Sequence, residues 1–461
     1  MKLHFIGIGG IGMSGLAAMA LDLGFQVTGS DRGADKPENQ RIFSALKKQG
    51  IQIYPQNGSF AQDGLPDFLV YSTAIEEDNP DFLAANGTPR LHRSALLEKL
   101  MQSLEGKRTI AVTGSCGKST VTAYLAEALY NLDLDPACLN GALSKRFKSD
   151  VFAGNYRPGS GSFFVFEADE SDKSLLNYQV DYAVILNIGT DHYSKEELAE
   201  VFGKFLNNVR CGAVLSAEVY SAIKEFIPEK LPVSVFYSEA EKNKKFALEN
   251  YFIRDRRAHA FFAGCGELAL PLTGRHNALN ALAIYTLLDM LGINKEDSLK
   301  ALTRFDGIFR RTDFAGHTPQ GAMVFDDYAH NPEKIISCLD TMREIGGGGR
   351  IFAVFQPHGF GPLGFMRDAL FLNLEKALSA GDRFILLEPY YAGGTTSFKP
   401  TSAEVMTDWL NRAARKENYL THSGRETLSL WLKEHARQGD IIVIMGARDN
   451  SLSDYALSLT K

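Results

Sequence analysis

The residues best suited to chemistry form a loop, TGSCGKST, at positions 113–120, between a β-branched run and an amphipathic segment. A loop that binds nucleotide phosphates needs inward backbone N–H groups, a lysine for the β and γ phosphates and a hydroxyl for Mg²⁺. The full phosphate-loop spacing is not met, because Val112 stands where its first glycine would fall. A strand directly before GKST still predicts a phosphate site, and its expected residues are Gly114, Gly117, Lys118, Ser119 and Thr120.

A second glycine pattern, Gly7-x-Gly9-x-x-Gly12, follows a short apolar run near the start of the chain. Glycines at this spacing let the backbone turn tightly and approach a diphosphate where a helix begins. Asp31 ends the next predicted strand, where a carboxylate can bond a ribose hydroxyl. The motif alone separates neither NAD from another nucleotide diphosphate nor a ligand site from a plain strand–helix turn.

Two polar segments that follow predicted strands indicate a metal site. EADESD, which begins at Glu167, follows FFVF, and NIGTDH, which ends at His192, follows YAVIL. Carboxylate and imidazole groups at neighbouring strand ends can bind a divalent metal beside the phosphate loop, and hard Mg²⁺ favours the carboxylates. A solvated acidic loop is the alternative interpretation of the first segment.

Three further patterns contain candidate residues. Asn277 and Asn280 are one helical turn apart and can present their amides on one face. Arg311, in FRR, suits phosphate because guanidinium donors are fixed and always charged. Asp327 and His330, in DDYAHNP, follow the strand AMVF. A helix cap, a surface basic pair and a polar turn are the respective alternatives, although four titratable side chains at one strand end favour a site.

The elements that must position these residues alternate between short apolar runs and longer amphipathic stretches, which predicts an α/β fold with parallel sheets. Helices are expected at 11–23 and 119–132, and strands at 2–8, 26–30, 67–71, 108–114, 161–166, 182–187, 322–325, 350–355, 383–387 and 440–445. Two segments each consist of a strand, a glycine loop and a helix in succession, and they indicate two separate sites large enough for a nucleotide. Domain boundaries are expected near Gly106 and Asp313.

Composition limits the class of protein further. A chain of 461 residues is too long for one core and predicts two to four domains. The formal charge of −6 gives no overall attraction for nucleic acid, so bound phosphates need local cations. Five scattered cysteines without a CxxC pair fit a reducing compartment. No run of about 18 apolar residues occurs, so no membrane span is expected and the predicted location is cytoplasmic.

Seven motifs, in this order, resemble those of the Mur ligases along nearly the whole chain. They are HFIGIGGIGMSGLA, GSCGKST, EADESD, NxxxDH, GRHNALNALA, FRR and DDYAHNP, and the 25-residue step from Glu167 to His192 also fits. The resemblance implies three domains: a Rossmann-like UDP-sugar domain over residues 1–106, a central P-loop ATPase-like domain over 107–313, and a Rossmann-like C-terminal amino-acid domain over 314–461.

The resemblance also implies an activity. Most similar are the members that use ATP and Mg²⁺ to join the carboxylate of UDP-N-acetylmuramate to L-alanine through an acyl-phosphate, in peptidoglycan synthesis. The partners are then UDP-N-acetylmuramate and an amino acid or short peptide, with no nucleic acid and no membrane, and the protein is expected to be a monomer or homodimer.

Residue roles carry over from the matching motifs. UDP would be bound by Gly7, Gly9, Gly12 and Asp31, with Ser72, Thr73 and Ala74 near its diphosphate. Asn277 and Asn280 would contact adenine, Lys118 and Arg311 the ATP phosphates, and Ser119, Glu167 and His192 Mg²⁺. Tyr328 and His358 would lie near substrate, and the expected catalytic residues are Lys118, His192, Arg311, Asp327 and His330.

One segment departs from the family pattern and leaves the amine substrate open. The alanine-adding members usually follow a Pro-His pair with an arginine-rich segment, whereas here Gly359 and Pro362 stand after His358. A recycling ligase that attaches a murein tripeptide to the same sugar nucleotide is the alternative within the family. An NAD(P)-dependent oxidoreductase is the alternative from another class, but it leaves GKST and the acidic strand ends without a role.

Overall fold

The structure is a computed structural model and describes residues 1–36, 39–189, 193–238, 244–255, 257–390 and 399–461. The chain forms two compact units. Unit 1 contains Met1–Phe252 and Ala258–Ile308, and unit 2 contains Ile253–Arg257 and Phe309–Lys461. Within the described ranges, no helix combines the length and the apolar character that a bilayer crossing requires.

The first sheet of unit 1 is fully parallel and has a Rossmann-like topology. Its strands are β1 (Lys2–Ile6), β2 (Gln26–Asp31), β3 (Gln52–Pro55), β4 (Phe68–Tyr71) and β5 (Arg90–His92), and its helices are α1 (Ile11–Asp22), α2 (Gln40–Lys48), α3 (Pro80–Ala84) and α4 (Arg93–Gln102). The strand order is β3-β2-β1-β4-β5. The order reverses between β1 and β4, and ligands of open α/β sheets bind in the crevice at such a reversal.

The second sheet of unit 1 carries the phosphate loop. Its strands are β6 (Arg108–Thr113), β7 (Ala137–Leu139), β8 (Tyr156–Arg157), β9 (Phe163–Glu167), β10 (Val180–Ile185), β11 (Val209–Ser216) and β12 (Val233–Phe236). They lie in the order β12-β11-β10-β6-β9-β7-β8, and all pairs are parallel except β7 with β8. The carboxyl ends of β6, β9 and β10 therefore meet at one edge.

The remaining elements of unit 1 cover this sheet or extend it. The helices are α5 (Lys118–Asn131), α6 (Lys195–Leu206), α7 (Ala217–Ile223), α8 (Arg275–Met290) and α9 (Lys295–Leu302). A separate three-stranded sheet contains β13 (Leu248–Arg254), β14 (Arg257–Phe262) and β15 (Gly266–Leu270). The end of β13 from Ile253 and the first residue of β14, Arg257, belong to unit 2. Helix α5 is buried from Val121 to Leu129 because it packs against strands of the sheet and against α8 and α9.

Helix α1 joins the two sheets of unit 1. The side-chain amide of Asn155, which is only 4% exposed, donates to the carbonyl of Ile11 at 2.5 Å and to the hydroxyl of Ser14 at 2.8 Å. A Cβ at Gly15 would lie 2.9 Å from a methyl of Leu139, so only glycine fits this approach. The helix that follows the first glycine turn is thus fixed to the sheet that carries the phosphate loop.

Unit 2 is a third α/β layer structure. Its strands are β16 (Asp313–His317), β17 (Met323–Asp327), β18 (Ile351–Phe355), β19 (Arg383–Leu386), β20 (Tyr419–Thr421) and β21 (Ile441–Met445), and its helices are α10 (Pro332–Gly346), α11 (Phe360–Ala377), α12 (Ser402–Arg412), α13 (Arg425–His435) and α14 (Ser451–Ser458). The order is β16-β17-β21-β18-β19-β20, with β16 alone antiparallel to its neighbour. Apolar side chains cover both faces of the sheet.

Candidate active site

The first glycine turn is held in place by Asp31. Gly7 has φ +73°, and its N–H donates to the carbonyl of Ser30 at 2.9 Å. The carboxylate of Asp31 accepts from the N–H of Gly9 at 2.8 Å and from that of Gly33 at 2.7 Å. A Cβ at Gly9 would lie 2.5 Å from the ring of Phe43. Asp31 therefore braces the turn, and its predicted bond to a ribose remains a prediction.

The residues Ser72, Thr73 and Ala74 follow β4 and lie beside this turn. Ser72 is half-buried, and its carbonyl accepts from the N–H of Ile75 at 3.1 Å. A Cβ at Gly7 would lie 3.2 Å from Cδ1 of Ile75, so the two loops approach closely. They occupy the ends of β1 and β4, where the strand order reverses, which is the position expected of a nucleotide diphosphate.

The second glycine loop leads from β6 directly into α5. Gly114 has φ +134° and Gly117 has φ +86°, which L side chains rarely adopt. Gly117 is the N-cap of α5, so Lys118, Ser119 and Thr120 form its first turn. The backbone N–H groups of this turn lack partners within the helix and attract an anion.

Lys118 is held by a carboxylate that the sequence analysis did not select. Its ammonium donates to Glu170 Oε2 at 2.7 Å and to the carbonyl of Gly114 at 2.9 Å. Burial alone lowers the pKa of Lys118, but the carboxylates of Glu170, Glu167 and Asp169 outweigh it and raise the pKa. Lys118 is therefore a half-buried cation at the start of a helix, as a site for phosphates requires.

Asn187 braces the phosphate loop from the neighbouring strand end. Its side chain accepts from the N–H of Cys116 at 2.8 Å and donates to the carbonyl of the same residue at 2.9 Å. The hydroxyl of Ser115 accepts from the N–H of Gly189 at 2.8 Å. His192, the predicted catalytic and metal-binding residue of this segment, lies outside the described residues.

The other two predicted metal ligands lie near Lys118. Ser119 is 8% exposed, and its carbonyl accepts from the amide of Asn140 at 3.1 Å. Glu167 accepts from the N–H of Gly141 at 3.0 Å. The side-chain oxygen of Asn140 is buried and has no hydrogen-bond partner, and it lines the same cavity as Glu167. Hydroxyl, carboxylate and amide oxygens are the donors that Mg²⁺ prefers, so these residues fit it.

No group of three His, Cys, Asp or Glu side chains that could hold a metal ion occurs among the residues that the structure describes. The fit to Mg²⁺ therefore depends on the oxygens of Ser119, Glu167 and Asn140, together with the ligands that a bound nucleotide would add.

A cavity of about 70 Å³ in unit 1 lies between the start of α1, which follows the first glycine turn, and the ends of β7 and β9. Its lining includes Gly12 and Arg93 from the first sheet and Asn140, Gly141 and Glu167 from the second. The guanidinium of Arg93 lies 3.3 Å from the carboxylate of Asp169 and 3.3 Å from that of Asp172. The predicted diphosphate site and the predicted metal site thus open into one space.

The predicted adenine-binding pair also lies beside the phosphate loop. Asn280 donates to the side-chain oxygen of Asn277 at 3.2 Å, and Asn277 donates to the carbonyl of Thr273 at 2.7 Å. A Cβ at Gly117 would lie 3.1 Å from Oδ1 of Asn280. The contact places Asn280, in the second turn of α8, next to the N-cap of α5.

In unit 2, the two arginines of FRR differ in environment. Arg310 is 8% exposed and donates to the carbonyls of Gly446 at 2.6 Å and Ala447 at 3.2 Å, with Asp326 at 3.4 Å. Arg311 is half-buried, and its guanidinium lies 5.3 Å from the centre of the Tyr328 ring. Arg310 is therefore structural, which leaves Arg311 as the arginine suited to a ligand.

Asp327 orders the loop that follows β17. Its carboxylate accepts from the N–H of Thr312 at 2.7 Å and from that of Ala329 at 2.8 Å. The residue is 8% exposed. Thr312 has φ +47°, which is unfavourable for a β-branched residue, so the bond from Asp327 helps to hold a strained backbone next to Arg311.

His330 and His358 form a neutral pair in unit 2. Their ring centres are 5.3 Å apart and the rings are nearly perpendicular. Burial lowers the pKa of His330 to about 3 and that of His358 to about 4. Nδ1 of His330 lies 2.9 Å from the carbonyl of Tyr328, so it carries the hydrogen and leaves Nε2 as an acceptor. Nδ1 of His358 is buried without a partner.

Sequence reasoning missed several residues that shape the site. Glu170 and Asp169 lie within the EADESD motif, where only Glu167 was selected, and Asn187 lies within NxxxDH. Arg93 and Asn140 had no motif signal, because their role depends on the approach of two sheets. For Gly359, the backbone has φ +148° and α11 begins at the next residue, so the segment after His358 is a helix start.

The parallel sheets and the two glycine loops at strand ends are typical of the class of α/β enzymes that bind nucleotides. Three family models match the chain: "Mur ligase family, catalytic domain" over residues 2–104, "Mur ligase middle domain" over 112–288 and "Mur ligase, glutamate ligase domain" over 310–448. The chain belongs to the Mur ligase family. This confirms the resemblance and the predicted class of ATP-dependent ligase.

Relatives match along the full chain. UDP-N-acetylmuramate–L-alanine ligase of Rhizobium meliloti (strain 1021) is 34% identical over 99% of this chain and 96% of the relative. The enzyme of the same name from Dictyoglomus turgidum is 32% identical over 97% and 94%. The crystal structure of UDP-N-acetylmuramate–alanine ligase from Thermotoga maritima has a TM-score of 0.80 at 28% identity, covering 99% and 98%. This similarity confirms the predicted three-domain α/β fold, whereas the predicted boundaries near residues 106 and 313 stay predictions.

Proposed function

We propose that this protein uses ATP to join the carboxylate of UDP-N-acetylmuramate to L-alanine. The observation that carries the proposal is the cavity of about 70 Å³ in unit 1, which is lined by Gly12 of one glycine loop and by Glu167 near the other. A sugar nucleotide bound at the first loop would present its carboxylate in this cavity, within reach of a phosphoryl group at Lys118. The name of the relatives that match the full chain supports the same substrates.

The chemistry follows from the poor reactivity of a carboxylate towards an amine. The carboxylate takes the γ-phosphoryl group of ATP, with release of ADP, to form an acyl-phosphate. The amine then attacks the acyl carbon, expels inorganic phosphate and loses a proton to give the amide. Lys118 neutralises charge on the phosphoryl group during transfer, and we propose the same role for Arg311. When bound, Mg²⁺ adds further positive charge at these oxygens. Ser119, Glu167 and His192 are its proposed ligands, with Asn140 nearby.

The remaining predicted residues have positioning roles in this proposal. UDP would be held by Gly7, Gly9, Gly12, Asp31 and the 72–74 turn, adenine by Asn277 and Asn280, and phosphates by Gly114, Gly117 and Thr120. Asp327 would hold the loop that carries Arg311 and Tyr328. Because its pKa is about 3, His330 is a weak base, so we assign its Nε2 the role of a hydrogen-bond acceptor for the incoming amine.

The test of the proposal is phosphate release from ATP. We expect release only when UDP-N-acetylmuramate and L-alanine are both present, with one amide formed per phosphate. Release that ignores the sugar nucleotide and the amine would contradict a ligase.

The amine substrate is a separate prediction, because Gly359 and Pro362 replace the arginines that the family usually has there. A panel of single amino acids and short peptides, assayed at equal concentration with this sugar nucleotide, should show L-alanine as the best acceptor. A higher kcat/KM for the tripeptide L-alanyl-γ-D-glutamyl-diaminopimelate would instead assign the recycling reaction. Either result leaves the acyl-phosphate chemistry unchanged.

Substitution of Glu167 tests the proposed metal site. Glu167→Gln removes the charged oxygen and keeps the size of the side chain, so the Mg²⁺ concentration for half-maximal activity should rise at least about tenfold. Glu105→Gln, an exposed position, is the matched control. An unchanged Mg²⁺ dependence in Glu167→Gln would remove this residue from the metal site.

A further inference from the structure

Helix α5 carries a buried carboxylate that the proposed reaction does not use. Glu127 is 2% exposed, although it lies on the helix that begins at Lys118. Its Oε1 accepts from the hydroxyl of Ser144 at 3.1 Å, and its Oε2 accepts from the backbone N–H of Asp306 at 2.9 Å. Through its two side-chain oxygens, Glu127 therefore connects α5 to the loop at Ser144 and to the segment at Asp306.

The segment that Glu127 holds is the end of unit 1. Tyr124, one turn earlier on α5, donates its hydroxyl to the carbonyl of Leu302 and stacks on Phe305 with ring centres 4.6 Å apart. Asn131 donates to the carbonyl of Arg304 at 3.2 Å. Tyr124, Glu127 and Asn131 share one face of the helix. This face therefore binds the backbone from residue 302 to residue 306.

The loop around Ser144 also bonds to the last residues of unit 1. The N–H of Lys145 donates to the carbonyl of Gly307 at 3.0 Å, and Ser144 forms an antiparallel bridge with Ile308. Ile308 is the last residue of unit 1, and the chain enters unit 2 at Phe309. The last residues before the crossing are thus tied to α5 and to the 144–145 loop.

We propose that Glu127 is a positioning residue for ligation, because it fixes the segment that leads into unit 2 to the helix whose first turn forms the phosphate site. Glu127 is nine residues from Lys118, or about 13 Å along the helix axis, so it does not touch the nucleotide. Its loss should leave nucleotide affinity unchanged and should slow the step that needs unit 2. This inference rests on the proposed ligation only for its kinetic readout.

Local proteolysis provides a readout that is independent of activity. Arg304 is exposed and lies inside the tied segment, so trypsin should cut after it only when the segment opens. In Glu127→Ala we expect this cleavage to be at least about tenfold faster than in the wild type, with ATP affinity within about twofold and a lower kcat. Wild-type cleavage after Arg304 in Glu127→Ala would overturn the proposal, whatever the activity assay shows.

Glu127→Gln is the matched control, since its oxygen can accept from the N–H of Asp306 and its amide can donate to the hydroxyl of Ser144. At the acid end of the pH range, where the stabilisation by Glu127 is complete, this variant should show wild-type cleavage, whereas Glu127→Ala should still be cut faster. If Glu127→Ala unfolds altogether, Ser144→Ala removes one bond and should give an intermediate cleavage rate. A Glu127→Gln variant that is cut as fast as Glu127→Ala would contradict the role assigned to the two hydrogen bonds.

The pH dependence of cleavage distinguishes the titration of Glu127 from that of neighbouring groups. Burial raises the pKa of Glu127 to about 7, and the hydrogen bonds from the N–H of Asp306 and from the hydroxyl of Ser144 oppose that rise. The charge of the Asp306 carboxylate raises the pKa, and the charge of Arg146 lowers it. Tyr124 and Cys138, which also face it, stay neutral because burial raises their pKa values. Because the folded pKa is raised, the stabilisation is complete below about pH 4.5 and is lost as the pH rises to about 7. The ratio of wild-type to Glu127→Gln cleavage should therefore rise over this range and then level off, and a flat ratio would contradict the assignment.

Discussion

Lys118→Ala should lower the rate of ligation by at least about 10²–10³-fold, which abolishes activity in ordinary assays. Lys118 is the half-buried cation at the start of α5, and the proposed reaction transfers a charged phosphoryl group next to it. An alanine leaves the negative charge that develops during transfer without its nearest fixed partner. Phosphate release in the presence of both substrates measures the effect directly.

The loss of activity in Lys118→Ala has to be distinguished from a loss of stability. Glu170 is 4% exposed at its side chain and pairs with Lys118 at 2.7 Å, so the alanine variant leaves a buried carboxylate without its cation. The double variant Lys118→Ala/Glu170→Gln removes that charge and should regain stability without regaining activity. Lys204→Ala, on an exposed face of α6, is the control for loss of a lysine. Wild-type turnover in either Lys118 variant would refute the proposed phosphate site.

The second large effect is expected on stability. Arg310→Ala should lower the free energy of unfolding of unit 2 by about 3–5 kcal/mol, because it leaves a buried carboxylate and two backbone carbonyls without their donor. The carboxylate is Asp326, which is 3% exposed, and the carbonyls are those of Gly446 and Ala447. Arg311→Ala is the adjacent control and should cost less than about 1 kcal/mol, because the residue is only half-buried.

Tryptophan fluorescence can follow this unfolding without interference from unit 1. The chain has two tryptophans, Trp409 and Trp431, and both lie in unit 2. Burial already raises the pKa of Asp326, and Arg310 opposes that rise. Without Arg310 the pKa rises further, so the stability of the variant, which falls as the pH rises above 3.8, should continue to fall up to a higher pH than that of the wild type. Equal midpoints for Arg310→Ala and Arg311→Ala would disprove the structural assignment of Arg310.

The strands that the sequence predicted are the buried central ones, because continuous apolar runs mark them. β1, β6, β18 and β21 all lie where such runs occur. β1 ends at Ile6 and not at residue 8, since Gly7 turns the chain. The strands β7, β8 and β20 have two or three residues each, which is too short to leave a periodic pattern, so they were not predicted.

Within the site, the sequence could predict residues that belong to a local motif with a known chemical role. Lys118, Ser119 and Glu167 belong to this group. The partner of Lys118 was not predictable, because EADESD offers several carboxylates and only the fold selects Glu170. In FRR the sequence could not decide which of two adjacent arginines contacts a ligand. Only the structure shows that Arg310 is buried and structural, whereas Arg311 is half-buried.

The contact of Asn155 with the first turn of α1 limits where the chain can be cut if the first sheet is to be produced or exchanged separately. A fragment that stops near residue 106 would place the buried run from Met13 to Ala20 in water along the side that faces β7 and β8, and would remove the amide that pairs with Ile11 and Ser14. Exchange of the sugar-nucleotide module between homologous enzymes therefore has to carry residues 137–157 with it. A crossover near residue 106 would separate α1 from the strands and the amide with which it is paired in this chain.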